Sequence, residues 1–422
     1  MSSRSPRSSR SPLPARAPLA SPSRAAAERP AHIAMVGVPA VSHVLPSLEV
    51  IRELVARGHR VTYANDPLMA ERIEATGAAL VPLDSRLPVR DNQWPSDPVA
   101  AMGLFLDDAI RALPRLRAHY DADPADVYLY DIGAYAARAL AEAQGRPMIQ
   151  LSPTYVAWRG YRDEVAAELW RLPGADAYRR RFAAWLAGCG ATTTDADRFG
   201  DRPERPGGAL ALIPRAMQPR LEDVDTSTVT FVGPCFGRRL GRREWRRPAG
   251  ARRVLLVSLG SAYTRQPAFY RRCLAAFGDL PGWHVVLGIG RHTDPAELGP
   301  VPANVEVHSW VPQLTVLEQA DAFVTHAGMG GCSEGLATGV PMIAVPQAVD
   351  QFGNADRLVE LGVARRLDTA EATAERLRAA LLDLVDDPGV ARRSAELRER
   401  AAAEGGTERA ADLIEAAAVA AR

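Results

Sequence analysis

Short, mostly apolar runs recur along the chain, and the segments between several of them carry apolar residues at helical spacing. The first, "HIAMVGV" (His32 to Val38), has the unbroken hydrophobic character of a strand covered on both faces in a parallel sheet. After the loop "PAVSH" comes "PSLEVIRELVARG", with Pro46 near a helix start, Leu48, Ile51, Leu54 and Val55 at helical spacing, and Gly58 as the stop. "RVTYA" is the next strand, completing a βαβ unit. A second unit is read in "VYLYD" (Val127 to Asp131), the helix "AYAARALAEAQG" and the strand "PMIQLSP". The second half repeats the logic with "RVLLVSLGS" (Arg253 to Ser261), "WHVVLGIG", "VEVHSWVP", "DAFVTHAG" and "PMIAVPQ". The pattern predicts an α/β protein of two doubly wound domains.

"GRRLGRREWRRPAGARR", Gly237 to Arg253, lacks apolar periodicity and is rich in glycine, proline and arginine, which suits an exposed linker. The expected division is a disordered tail over 1–30, a first domain over 31–236, the linker over 237–253, a second domain over 254–400 and a C-terminal helix over 401–422. The Ser, Arg and Pro rich tail lacks the apolar core of a signal peptide. Composition adds exclusions rather than direction. A formal net charge of +1 over 422 residues shows no bias toward nucleic acid, and no run approaches a membrane span. The chain contains no lysine. Its four cysteines are scattered without metal or disulfide spacing, so a reducing cytoplasm is expected.

The densest chemistry lies in "VTHAGMGGCSEGLATGVPMIAVPQAVDQ", Val324 to Gln351. Read as a strand to Thr325, a turn over His326 to Gly331 and a helix over Cys332 to Thr338, it forms an anion cradle. Glycines let backbone N–H groups approach a phosphate, and the helix N-terminus adds a favourable dipole. His326 can donate to a phosphate oxygen, and Glu334 can accept from a ribose diol. Upstream, Trp310 offers a flat face for a base, with Val311 beside it and Gln313 as a hydrogen-bonding neighbour. The pair Asp350 and Gln351 suits hydroxyls of whatever the nucleotide carries.

The run Trp310, Gln313, His326, Gly328, Glu334, Asp350, Gln351 resembles the nucleotide-sugar signature of the UDP-glycosyltransferases, and most closely that of bacterial macrolide glycosyltransferases. The resemblance covers most of residues 31 to about 410, with "EVIRELVARGHRVTYA", "SLGSAYTRQPAFYRRC", "LPGWHVVLGIGR" and "VPMIAVPQAVDQFGNAD" as its most specific stretches. It implies a GT-B fold, two facing Rossmann-like domains with acceptor bound by the first and donor by the second, and a C-terminal helix over 401–422 that packs back on the first domain. It further implies that Trp310 stacks on the base, Glu334 holds the ribose, Ser261, His326 and Gly328 meet the pyrophosphate, and Asp350 and Gln351 contact the sugar. An Asp-Gln ending is usual in the family for glucose donors, so the resemblance implies UDP-glucose. Where plant relatives carry side-chain contacts after the cradle's first glycine, this chain has Met329, Gly330 and Gly331, so backbone contacts are expected there.

Transfer to an alcohol needs a base, and histidine, with an ordinary pKa of about 6.5, suits it. His43 follows the first strand and Asp131 ends a later one, both at carboxyl ends of parallel strands. The resemblance implies that they act as base and orienting carboxylate in an inverting, metal-independent transfer. No cofactor is expected beyond the UDP-sugar co-substrate. The expected partners are UDP-glucose and a small hydrophobic acceptor, a macrolide or a phenolic or polyketide compound, with no nucleic acid and no membrane span, in a monomer or homodimer. Three alternatives stay open: a TDP-deoxysugar transferase, a non-catalytic nucleotide-sugar-binding partner, and an epimerase on a related fold. The triplets Asp121 to Asp123 and Asp195 to Asp197 are read as loop acids rather than metal sites. Val41, Ser42 and Leu45 depart from the family pattern around the base, and Cys332 stands where bacterial relatives usually have serine. A thiol at a helix N-terminus is expected to be acidic and readily alkylated.

Overall fold

Two parallel sheets organise the chain, and each has the strand order of a doubly wound nucleotide-binding fold. The computed structural model describes residues 30–91, 93–196, 208–241 and 244–420. The expected tail, apart from Pro30, lies outside the described residues, as does Asp197 of the second acidic triplet. Ala31–Arg422 form one compact unit.

The first sheet is built from β1 (His32–Val36), α1 (Val41–Ala56), β2 (Arg60–Asn65), α2 (Ala70–Glu74), β3 (Ala79–Pro82), α3 (Pro98–Tyr120), β4 (Val127–Asp131), α4 (Tyr135–Ala143), β5 (Met148–Ser152), α5 (Ala167–Trp170), α6 (Ala175–Cys189), β6 (Ala209–Ala211) and β7 (Val229–Phe231). Its strand order is β3-β2-β1-β4-β5-β6-β7, all parallel. The second sheet uses β8 (Arg253–Ser258), α7 (Pro267–Phe277), β9 (Trp283–Gly288), β10 (Val305–His308), α8 (Gln313–Leu317), β11 (Ala322–Thr325), α9 (Met329–Thr338), β12 (Met342–Ala344), α10 (Gln351–Glu360) and β13 (Ala364–Arg366). Its order, β10-β9-β8-β11-β12-β13, repeats that of the first sheet's first six strands. The chain then closes with α11 (Ala374–Asp386), α12 (Pro388–Ala403) and α13 (Gly406–Ala420).

In each sheet the order reverses between the first and fourth strands, β1 beside β4 and β8 beside β11. Loops leaving a sheet on opposite sides at such a point open a crevice at the strand carboxyl ends. The fold thus makes two crevices. Buried Val156, Met217 and Phe231 from the first half share one apolar cluster with Met329, Cys332 and Leu336 of the second. The last helix returns to the first sheet, where Ala410, Ala411, Ile414 and Ala418 pack with Ile33, Met35, Ile51 and Leu54. Arg57 pairs there with Asp412 and Glu415, both at 2.7 Å.

The expected C-terminal helix over 401–422 is divided between α12, which ends at Ala403, and α13, which begins at Gly406, and two boundaries at the site also differ from the sequence reading. Helix α1 begins at Val41, so His43 lies in its first turn rather than in a loop. Pro46 is inside the helix and lacks the N–H that would bond the Ser42 carbonyl; Ser42 is exposed, and water can satisfy that group. Helix α9 begins at Met329 rather than at Cys332, with Gly328 as an extended N-cap. Gly330 and Gly331 are therefore helical, and neither has a positive φ.

Candidate functional site

The first crevice holds an imidazole and a carboxylate. Val36 at the end of β1 is in register with Tyr130 in β4, so the loop after β1 and the residue ending β4 emerge side by side. His43 Nδ1 lies 2.8 Å from Asp131 Oδ2. The Asp131 side chain is 2% exposed and that of His43 28%, so a buried acid orients a ring that reaches solvent. The other carboxylate oxygen, Oδ1, accepts the Gly133 N–H at 2.9 Å, which fixes the carboxylate in turn. Burial alone would lower the His43 pKa, but the charge and hydrogen bond of Asp131, with the charge of Asp350 from the second half, outweigh it and raise the pKa above the usual value. With Nδ1–H given to Asp131, Nε2 is the nitrogen left to accept a proton.

The second crevice is the cradle. Ser258 ends β8 in register with Thr325 at the end of β11, and the loops beyond them converge on His326. A Cβ at Gly260, φ +76°, or at Gly328 would collide with the His326 ring, so only glycine lets the two loops close around it. Burial pushes the His326 pKa down to about 4, which leaves the ring neutral at pH 7. Its Nδ1 is buried without a hydrogen-bond partner among the described residues. The non-glycine Ala327 takes φ +60° between them, and the Asn354 amide donates to its carbonyl at 2.9 Å. Ser261 is exposed at the mouth, and Gly330 is exposed on the first turn of α9 with open space around it. Gly331 is buried against Thr325.

Around the cradle, Trp310 is 60% exposed while neighbouring Val311 is buried. Glu334, in the second turn of α9, accepts at 2.8 Å from Gln313 Nε2 and at 2.8 Å from Arg239. Asp350 is exposed, and its Oδ2 accepts from Asn354 at 2.9 Å. Gln351 is buried, and its side-chain oxygen accepts the N–H groups of Gln347 and Ala348, holding the loop before α10. The adjacent Val349 has φ +47° and is 71% exposed.

Two residues escaped the sequence reading. Asn354 braces both Asp350 and the Ala327 carbonyl, and its only signal was the helical spacing of "DQFGN". Arg239 belongs to the supposedly solvent-facing linker, and nothing in its surroundings in sequence marks it. One expectation is overturned: Cys332 is fully buried, and desolvation raises its thiol pKa despite its place in the first turn of α9. Among the described residues no acidic or thiol cluster is arranged to hold a metal ion, and no helix is long and apolar enough to cross a membrane.

The chain is 57% identical over 394 residues to oleandomycin glycosyltransferase of Streptomyces antibioticus, covering 92% of this chain and 91% of that one. The chain belongs to the UDP-glycosyltransferase family. Within it, the likeness is to the bacterial macrolide glycosyltransferases. A family profile for the erythromycin biosynthesis protein CIII-like C-terminal domain matches residues 271–416. Demethyllactenocin mycarosyltransferase of Streptomyces fradiae is 34% identical, over 92% of this chain and 86% of its own. The crystal structure of the glycotransferase of kitacinnamycin superposes with a TM-score of 0.85 at 55% identity, covering 92% of this chain and 99% of that one. The two Rossmann-like sheets are those of a GT-B glycosyltransferase.

Proposed function

We propose that the protein is a metal-independent, inverting transferase that moves glucose from UDP-glucose to a hydroxyl of a macrolide. The pairing of His43 with Asp131 at one switch point, opposite a phosphate cradle at the other, carries this reading. In the proposed reaction the acceptor hydroxyl gives its proton to His43 Nε2 as its oxygen attacks the anomeric carbon. The bond from that carbon to the diphosphate breaks, and its electron pair leaves with UDP. One direct displacement inverts the centre, so an α-linked donor yields a β-glucoside. Asp131 keeps Nδ1 protonated and stabilises the imidazolium that forms. On the leaving side, the N-terminus of α9, the backbone around Gly328 and neutral His326 meet the diphosphate by hydrogen bonds and dipole. Trp310 stacks on uracil and Glu334 takes the ribose diol, while Asp350 and Gln351 face the glucose hydroxyls.

A role in drug inactivation follows from the same chemistry, since a sugar on a macrolide hydroxyl enlarges the surface that its target must accept. The likeness to a mycarosyltransferase favours a second reading, transfer of a deoxysugar from a thymidine diphosphate donor. Competition between UDP-glucose and TDP-sugars for one acceptor tests the choice. Preferential consumption of UDP-glucose supports the first reading, and preferential consumption of a TDP-deoxysugar replaces it with the second.

A further inference from the structure

The Glu334 carboxylate is held from outside its own sheet. One of its oxygens accepts from Gln313, a neighbour on the second sheet's α8, and the other accepts from Arg239 at 2.8 Å, 95 residues away in sequence. Arg239 lies on the segment that connects the two sheets, and that segment is itself anchored. The Arg238 N–H donates to Glu49 Oε2 at 3.0 Å, and Glu49 is a buried residue of α1, the helix that carries His43. Gly237, at φ +47°, passes so close that a Cβ there would stand 2.7 Å from the same carboxylate oxygen. Beyond Arg239, the Gly241 N–H donates to Glu318 at 2.8 Å on the second half. Arg239 is thus seated by neighbours on either side of it, and its guanidinium points at one side chain of the donor crevice.

We propose that Arg239 is a positioning residue that sets the preference for a ribonucleotide donor by aiming the Glu334 carboxylate. This deepens the reading of Glu334 as the ribose acceptor and rests on it. A carboxylate offers about four acceptor sites, and the two donors occupy one on each oxygen. The remaining pair then faces a cis-diol with little rotational freedom. A charge-assisted bond from a planar guanidinium fixes orientation better than a neutral donor does. Without Arg239 the carboxylate keeps one tether and turns about it, so the contact made by a 2′-hydroxyl weakens while the base and diphosphate contacts stay. The loss falls on donor KM rather than on kcat, and acceptor KM is unaffected.

The test is calorimetric binding of UDP and 2′-deoxy-UDP to the full chain and to the variants Arg239→Ala, Arg239→Lys and Glu334→Ala. The ratio of the two affinities cancels any general loosening of the site. The expected result is a ratio in Arg239→Ala that falls on the order of 10-fold toward that of Glu334→Ala, with partial recovery in Arg239→Lys. A wild-type ratio in Arg239→Ala, alongside a collapsed ratio in Glu334→Ala, overturns the role of Arg239 and leaves the ribose reading standing. An unchanged ratio in both overturns the ribose reading and this inference with it.

Discussion

At the scale of single residues the site is a contest between burial and partners. Burial would lower His43, but Asp131 and Asp350 outweigh it, whereas burial drives His326 down to about 4. The first suits a base and the second a neutral donor. In the proposed reaction His43 accepts a proton and so must be unprotonated, and kcat/KM is expected to fall as pH drops through its raised pKa. Replacing Asp131 by Asn removes the charge that raises it, so the acid limb of the pH profile moves to lower pH while kcat falls. An acid limb at the wild-type position in Asp131→Asn contradicts the pairing. Cys332 shows the limit of local reasoning. A helix dipole contributes about 0.3–1 kcal/mol at exposed sites, and full burial of the thiol outweighs it. We expect Cys332 to resist iodoacetamide in the folded protein, with labelling only on denaturation, as peptide mass mapping would report.

At the scale of elements, what could be read was set by length and punctuation. Strand β4 matched the expected run at both ends because "VYLYD" is apolar and sharply bounded. Strands β6 and β7 have three residues each, too few for a period to show. Helix α3 has no counterpart in the sequence reading, although Asp97 caps it and Pro98 opens it. The meeting of His43 and Asp131 was legible because both follow carboxyl ends of strands in one parallel sheet. Arg239 was not, since its partner is remote in sequence and only the fold brings them together. The glycines are better tests of the element account than the acids. Gly328→Ala has an ordinary φ of −64° but drives a methyl into His326. A displaced ring is expected to lower kcat/KM for the donor on the order of 10²-fold with little change in melting temperature. A large fall in melting temperature with normal activity in the remaining folded fraction contradicts the local explanation.

The whole molecule is tied together by its end. Ile414 of α13 is fully buried against the first sheet, and Ile414→Ala is expected to cost about 2–5 kcal/mol, measured by denaturant unfolding. Loss below about 1 kcal/mol would mean that the helix packs weakly. Just before α13, burial raises the Glu404 pKa to about 7, although its carboxylate accepts the Arg215 N–H at 3.0 Å and is near Arg409. In the unfolded chain it ionises near about 4.3. The folded state resists that ionisation, so stability declines as pH rises from about 4.3 to about 7 and levels off above. Glu404→Gln removes this group's share of the decline, and its melting temperature is expected to fall less than the wild type's between about pH 5 and about pH 8. Two doubly wound parallel sheets were foreseeable from the alternation of strand and helix patterns, but their shared strand order was not read. The return of α13 onto α1 through Arg57 and His59 was expected from the family resemblance alone, since its partners are tertiary and no local pattern announces them.

The most direct measurement incubates the protein and its His43→Ala variant with UDP-glucose and a macrolide bearing a free hydroxyl, and follows hexose addition by mass spectrometry. The account predicts a macrolide heavier by one hexose, and a rate in the variant lower by about 10²–10⁴-fold while UDP binding is retained. Transfer at the wild-type rate in His43→Ala, or no transfer by a wild-type protein that binds UDP, would contradict it.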